Sequence, residues 1–346
     1  MDELIKSPGS AAPRAPTASW PLRIGPWLIG ALILSGVILV IVSRGEIEDF
    51  AQLLHRAAPV WLLVGALFQA ATYFSAAAVW YLTLRKAGAR YSMRTLVPLG
   101  VAKLFSEQAL PSGGISGTAF FIAALTRRGI PSEISLAALL VSLISYYAAY
   151  LLAAALSLTL LRFYHAVSAW IVAVTILFCL VAVAIPVGTL WLHSRSQRPL
   201  PAWLTRIPGV NRLLDLLGDA PGYLLRDGTL IFKTTLFQAS IFLLDGATLW
   251  AMLQAVGQNV SFLAAFPSFI IASMVATFGL VPLGLGTFEA ACVALLRKLG
   301  VPLEAALTAT LLLRGFTLWL PMLPGMLLAR RELKNGHSTT STNHST

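Results

Sequence analysis

Six long apolar stretches, separated by short polar segments, account for most of the chain. They lie at about 24–42, 59–84, 134–161, 168–192, 231–257 and 303–328. A helix needs about 20 consecutive apolar residues to cross roughly 30 Å of hydrocarbon, so each stretch predicts one full transmembrane span. The pattern therefore predicts an all-α polytopic membrane protein.

Two further apolar segments, at about 96–126 and 262–299, are each interrupted by a cluster of proline and glycine. Each break leaves two apolar legs that are shorter than most full spans. Such a segment forms either a re-entrant hairpin or two short, tilted spans. In both cases the chain returns to the side of the membrane from which it entered, so the topology is unchanged.

The two broken segments are copies of one another. Residues 111–133 (PSGGISGTAFFIAALTRRGIPSE) align without a gap with residues 282–304 (PLGLGTFEAACVALLRKLGVPLE), with eight identities in 23 positions at an offset of 171. Between Pro131 and Pro302 the chain crosses three full spans and one two-legged hairpin, an odd number of full crossings, so the second copy is predicted to be inverted. An inverted repeat is typical of transporters in which the two halves exchange conformations to give alternating access.

The basic residues predict the orientation. If the N-terminus is cytoplasmic, 18 of the 25 Lys and Arg residues lie on the cytoplasmic side, as the positive-inside rule requires. Both termini are therefore predicted in the cytoplasm, with the protein in the plasma (inner) membrane. The predicted parts are a disordered arm at 1–23, one membrane domain at 24–331 (repeat 1 at about 24–161 and repeat 2 at about 168–331), an interfacial amphipathic segment at 197–229, and a disordered tail at 332–346.

Composition excludes a soluble enzyme and a nucleic-acid-binding protein. Hydrophobic residues make up 57% of the chain and charged residues 11%, against about 25% charged in soluble domains. The basic residues behind the net charge of +11 lie in short loops, where they determine the orientation of the protein in the membrane. Both cysteines, Cys179 and Cys292, lie in apolar runs, so neither a disulfide nor a metal site is expected, and no cofactor is predicted.

Five ionisable residues within the predicted hydrocarbon region are candidate site residues, because charge there is costly: Lys103, Glu107, Asp245, Glu289 and Arg314. Asp245 and Arg314 fall near the middle of their spans. They either bind substrate or form an ion pair that only fixes helix packing. Lys103 and Glu107 are four residues apart on one helix face. They either pair, or Lys103 contacts a lipid phosphate while Glu107 titrates.

The glycine-rich breaks offer a second group of candidates. In the second break, Gly284 and Gly286 permit a tight turn, and Thr287 is predicted to cap the following helix. Free N–H groups at that helix start favour an anionic head group. Glu289, in the first helical turn, either titrates or binds a cation, or it merely complements the helix dipole. The corresponding candidates of the first break are Ser112, Gly113, Gly114 and Ser116.

The second break and the span after it resemble the lysylphosphatidylglycerol synthase transmembrane family, also called flippase-like domain proteins. The family pattern is Pro-Gly-Gly-x-Gly-x-x-Glu, then Gly-Val/Ile-Pro, then a late Arg in the last span. The matching residues are Pro282, Gly284, Gly286, Glu289, Gly300, Pro302 and Arg314, whereas Leu283 replaces one family glycine. Many members carry Arg-x-Gly-Glu in the first hairpin, where this chain has Ser116, Gly117 and Thr118. The resemblance covers roughly residues 24–331.

This resemblance implies a role in lipid transport. In bifunctional relatives a cytosolic domain makes an aminoacyl lipid and the membrane domain flips it; no such domain is expected here. Stand-alone relatives are associated with moving lipids, polyprenyl-linked intermediates or hopanoid-related lipids, so membrane lipids and lipid-biosynthesis enzymes are the expected partners. The chain has no Gly-x-x-x-x-Gly-Lys-Ser/Thr motif, which predicts ATP-independent transport of an anionic head group near the midplane. The alternatives are an intramembrane lipid-modifying transferase, a small-solute transporter and an accessory membrane subunit.

Overall fold

The computed structural model describes residues 57–109, 115–195, 220–279 and 282–341, and these ranges contain helices and no strands. The α-helices, in chain order, are α1 (Pro59–Lys86), α2 (Met93–Ala109), α3 (Ile115–Thr126), α4 (Ser132–Phe163), α5 (Ala169–Arg195), α6 (Gly222–Leu225), α7 (Gly228–Ala255), α8 (Phe262–Phe278), α9 (Thr287–Lys298), α10 (Leu303–Arg314) and α11 (Leu320–Ser341). A 3₁₀ turn, Pro282–Gly284, precedes α9, and a π-helical segment, Gly315–Trp319, joins α10 to α11.

Five helical stretches are long and apolar enough to cross a membrane. They are Pro59–Lys86, Ser132–Phe163, Ala169–Ser194, Gly228–Ala255 and Leu303–Glu332. They coincide with five of the six predicted spans, which confirms the all-α polytopic fold. The remaining predicted span, at 24–42, and the arm at 1–23 lie outside the described residues. Of the predicted amphipathic segment only 220–229 is described, and α11 continues to Ser341 where the sequence predicted a disordered tail.

Both Pro/Gly-broken segments fold as helical hairpins. The first consists of α2 and α3, and the second of α8 and α9. In each hairpin the first leg has 17 residues and the second has 12. Adding 171 to the bounds of α1, α2 and α3 gives the bounds of α7, α8 and α9 to within two residues. The repeat seen in 23 residues of sequence therefore extends through the helices of both halves.

The equivalent helices α1 and α7 run antiparallel. At one end of the α1–α7 pair the backbone N–H of Ala58 donates to the carbonyl of Ala255 at 2.9 Å. At the other end the Lys86 ammonium lies 2.7 Å from the Asp227 carboxylate. Because α1 and α7 are equivalent in the repeat, this packing gives the halves opposite orientations, as the inverted repeat predicts.

Small residues allow the helices of the core to approach closely. A Cβ atom on Gly246 of α7 would lie 2.7 Å from the Phe266 ring of α8, and one on Gly65 of α1 would overlap the Met252 side chain of α7. Close approach at glycine is a common way of packing helices within a membrane, where van der Waals contact replaces the hydrophobic effect.

Each hairpin packs against the other half of the molecule. The first leg of the first hairpin, α2, packs along α11, the last helix of the second half. In the same way α8 packs along α4, the last helix of the first half. Each half therefore covers the broken segment of the other, and the two repeats form one interlocked body.

Candidate functional site

A cavity of about 440 Å³ lies in the second half, between α7, α8, the second break and the junction of α10 with the π-helical segment. Its polar lining is formed by the side chains of Asp245, Ser273, Thr277, Arg314 and Thr317. Asp245 lies in the interior of α7, and Arg314 lies in the interior of the last span. The cavity thus combines one anionic and one cationic side chain well inside the helical bundle.

The guanidinium of Arg314 is held in a fixed orientation. Its Nε donates to Oε1 of Glu289 at 2.6 Å, and its Nη2 donates to the carbonyl of Leu283 at 2.8 Å. The Phe288 ring lies beneath it, with the Arg314 Cζ atom 4.7 Å from the ring centroid. Charge-assisted hydrogen bonds and a cation–π contact together leave little freedom to the guanidinium plane.

Glu289 occupies one of the N–H groups at the helix start that the sequence predicted as free for an anionic head group. Its Oε2 accepts a hydrogen bond of 2.6 Å from the backbone N–H of Gly286, and its side chain is only 2% exposed. The Gly286 N–H is therefore not free for a head group, because the chain supplies its own anion there. The same carboxylate pairs with Arg314, so it both caps α9 and positions the arginine.

The turn before α9 differs from its prediction by one residue. Gly286, with φ of 81°, occupies the N-cap position that was predicted for Thr287. The Thr287 hydroxyl instead donates to the carbonyl of Gly284 at 3.0 Å. Gly284 and Leu283 each have φ of 63°, so the chain turns sharply through left-handed conformations. This turn presents the Leu283 carbonyl to Arg314.

Asp245 does not pair with Arg314, so the alternative in which the two form an ion pair was wrong. The Asp245 carboxylate accepts a hydrogen bond of 2.9 Å from the Gln69 amide, which also donates to the Thr248 hydroxyl at 3.0 Å. In the described part of the chain no Lys, Arg or His nitrogen lies within 4 Å of the Asp245 carboxylate. The Asp245 carboxylate is thus hydrogen-bonded but has no close basic partner.

The candidates of the first hairpin lie apart from the cavity. Lys103 and Glu107 form an ion pair of 2.5 Å, which confirms the pairing alternative. The hydroxyl of Ser116 donates to the Ser106 carbonyl at 2.8 Å. Gly117 packs directly against the Glu107 side chain, a contact that the sequence did not predict. The three remaining candidates, Ser112, Gly113 and Gly114, lie outside the described residues.

Several site residues were missed because their chemistry is common in membrane helices. Ser273, Thr277 and Thr317 are hydroxyl residues within apolar runs, and such residues usually bond to their own helix backbone. Gln69 gave a stronger signal, since a glutamine within a span needs a partner. The π-helical segment directly after Arg314 was also not predicted, although such irregularities are frequent at functional sites.

Residues 27–325 match the family described as Lysylphosphatidylglycerol synthase TM region. The matched range includes both hairpins, the cavity and Arg314. No curated protein matches the chain.

Proposed function

Because the chain belongs to the Lysylphosphatidylglycerol synthase TM region family, we propose that it moves a membrane lipid or lipid-linked intermediate between the leaflets of the plasma (inner) membrane. It is a multi-pass membrane protein of a lipid-related family, and flipping is the activity that an inverted repeat supports best. The proposed transport uses an ion gradient or the lipid gradient in place of ATP hydrolysis. Both termini are cytoplasmic in this proposal, and the chain itself performs no covalent chemistry on the lipid.

The observation that carries this proposal is the oriented guanidinium of Arg314 on the cavity wall. A guanidinium has five N–H donors, and in the described part of the chain its hydrogen bonds to Glu289 and to the Leu283 carbonyl use only two of the five. A planar guanidinium binds a phosphate through paired hydrogen bonds, which a lysine ammonium cannot reproduce. The proposed substrate therefore presents a phosphate to Arg314, while its acyl or polyprenyl chain remains in the surrounding lipid.

The test is translocation of a fluorescent phosphatidylglycerol in liposomes that contain the purified protein. Arg314→Gln alone would leave Glu289 buried without its partner and would confuse folding with transport. The informative variant is Glu289→Gln combined with Arg314→Gln, which removes both charges together. Translocation is expected to fall at least about tenfold, the effect of losing a charge-assisted contact of 1.4 kcal/mol or more, while size-exclusion behaviour stays normal.

The matched control is Arg297→Gln, which removes an exposed arginine at the end of α9. That variant is expected to transport at the wild-type rate. A folded double variant that also transports at the wild-type rate would contradict a phosphate-binding role for Arg314.

A further inference from the structure

We propose that Asp245 binds a monovalent cation, either a proton or a sodium ion, which accompanies the head group through the cavity. The transport part of this inference rests on the function proposed above.

The charges around the cavity do not balance. Arg314 is neutralised by Glu289, since the two side chains form an ion pair and are 12% and 2% exposed. Asp245 lines the same cavity and is the remaining charged residue of its wall in the described chain. An ionised Asp245 therefore leaves one negative charge in excess, and a phosphate on Arg314 would add to it. A group deep in the membrane avoids such a penalty by taking up a proton or a cation.

The C-terminal end of the broken helix α8 lies at the cavity. Ala276, Thr277 and Gly279, at the C-terminal end of α8, line the cavity wall. The last four carbonyls of a helix have no α-helical partner within it, and this end carries partial negative charge. In α8 the Ala276 carbonyl accepts a hydrogen bond of 3.1 Å from the Gly279 N–H. Half-helix C-terminal ends coordinate cations in other transporters built from inverted repeats. The hydroxyls of Ser273 and Thr277 add further oxygen atoms to the same wall.

The other groups around Asp245 are neutral at physiological pH or already paired. From α1, Gln69 donates to the carboxylate, and the Tyr73 phenol lies close enough to interact with it electrostatically. From α4, the Tyr146 phenol interacts in the same way. The hydroxyl of Tyr73 is buried and has no hydrogen-bond partner in the described chain. The groups around Asp245 thus supply oxygen atoms and one hydrogen-bond donor without a partner, the Tyr73 hydroxyl, but no basic group apart from Arg314.

The described part of the first half does not repeat this site. Subtracting 171 from Asp245 gives Phe74, which is 56% exposed on the outer face of α1, and subtracting it from Arg314 gives Leu143. The two ionisable residues of the cavity wall thus have apolar counterparts. Repeat symmetry alone does not require an acidic residue at position 245, and the site is a feature of the second half.

Asp245→Asn tests the site because it removes the charge at nearly constant shape. Thermal unfolding of wild type and variant is followed by tryptophan fluorescence in phosphatidylcholine nanodiscs. One series replaces N-methyl-glucamine chloride with NaCl at pH 8.5, and a second changes pH from 8.5 to 6.0 without sodium. We expect the wild-type Tm to rise with sodium or with falling pH. The variant should show neither response, and its Tm at pH 8.5 without sodium should exceed that of wild type by at least about 2 °C.

Asp227→Asn is the matched control, since it makes the same substitution at the start of the same helix. The hydrogen bond from Lys86 holds the pKa of Asp227 below its ordinary value, so this group stays ionised throughout the series. The control should keep the full sodium or pH response of the wild-type protein.

The outcomes separate this inference from the proposed function. A sodium response that Asp245→Asn abolishes identifies sodium, and a pH response that it abolishes in the absence of sodium identifies a proton. An unchanged response in Asp245→Asn overturns the inference. A Tm increase that occurs only when the nanodiscs contain phosphatidylethanolamine also overturns the inference, since Asp245 would then bind the amine of a head group. Absence of lipid translocation, together with a cation response that Asp245→Asn abolishes, would reject the flippase proposal and retain the cation site.

Discussion

Glu289 and Arg314 are two charged residues that the fold encloses together. The carboxylate accepts from Arg314 and from the Gly286 N–H, so both of its oxygens are used. Removing one member of a buried pair strands the other, whereas removing both is often nearly neutral. The pair therefore has to be analysed with single and double variants.

Glu289→Gln is expected to lower the free energy of unfolding by about 3–5 kcal/mol, because Arg314 loses its counter-charge in a buried position. Adding Arg314→Gln should recover most of that loss. Chemical unfolding in detergent micelles measures both variants against wild type. A Glu289→Gln protein within about 1 kcal/mol of wild type would show that the pair contributes little.

At this scale the sequence identified the charges but could not assign their partners. Intramembrane Asp245, Glu289 and Arg314 stand out because each is costly in hydrocarbon. Which of them pair depends on the folded hairpin, since Glu289 is 25 residues from Arg314. The partner of Asp245, Gln69, is 176 residues away in the other half. No local pattern predicts such a contact.

Among the elements, the second hairpin depends on a turn that only particular residues tolerate. Gly284 has φ of 63°, and a Cβ atom there would lie 2.6 Å from the Ala276 Cβ in α8. Proline, glycine and the apolar legs predicted this hairpin correctly. The N-cap was displaced by one position, because Gly286, with φ of 81°, is the N-cap and Thr287 is already the first helical residue, whose hydroxyl donates to the Gly284 carbonyl.

Gly284→Ala should lower the free energy of unfolding by about 1–3 kcal/mol, because it adds backbone strain and overlap with α8. The control is Gly188→Ala in α5, where an added Cβ meets nothing within 4 Å. That substitution should be neutral or stabilise by up to about 1 kcal/mol, as expected for alanine in a helix. The measurement is the unfolding midpoint of each variant relative to wild type. An equal change in both variants would contradict a special role for the turn.

For the molecule as a whole, inversion of the repeats predicts where each hairpin ends. Arg127 follows α3 and Lys298 ends α9, and these residues are equivalent at the offset of 171. Single cysteines at positions 127 and 298, in a Cys179→Ser, Cys292→Ala background, should react with an impermeant thiol reagent from opposite sides of the membrane. Labelling of both positions from the same side would be incompatible with the inverted arrangement.

Cysteines at positions 86 and 227 provide the control for this experiment. The wild-type side chains at these positions form an ion pair of 2.7 Å, so both positions lie at the same end of the α1–α7 pair. They should react from one side only. Labelling of either of these two positions from both sides would show that the protein has a mixed orientation in the membrane.

The large-scale architecture was the most predictable part of the protein. Apolar length predicts the spans, and a 23-residue repeat with an odd number of crossings predicts inversion. The packing of each hairpin against the other half, with α2 on α11 and α8 on α4, was not predictable. It depends on side-chain packing between distant segments, which leaves no periodic signal in the sequence.

The Glu289–Arg314 pair also restricts how the chain enters the bilayer during synthesis. An arginine at the centre of an inserting helix raises the free energy of insertion by about 2.5–3.5 kcal/mol. Its counter-charge is synthesised 25 residues earlier, on the short second leg of the hairpin. We therefore expect that leg to stay beside the insertion machinery until the last span emerges, so that α9 and α10 pass into the lipid as a single unit.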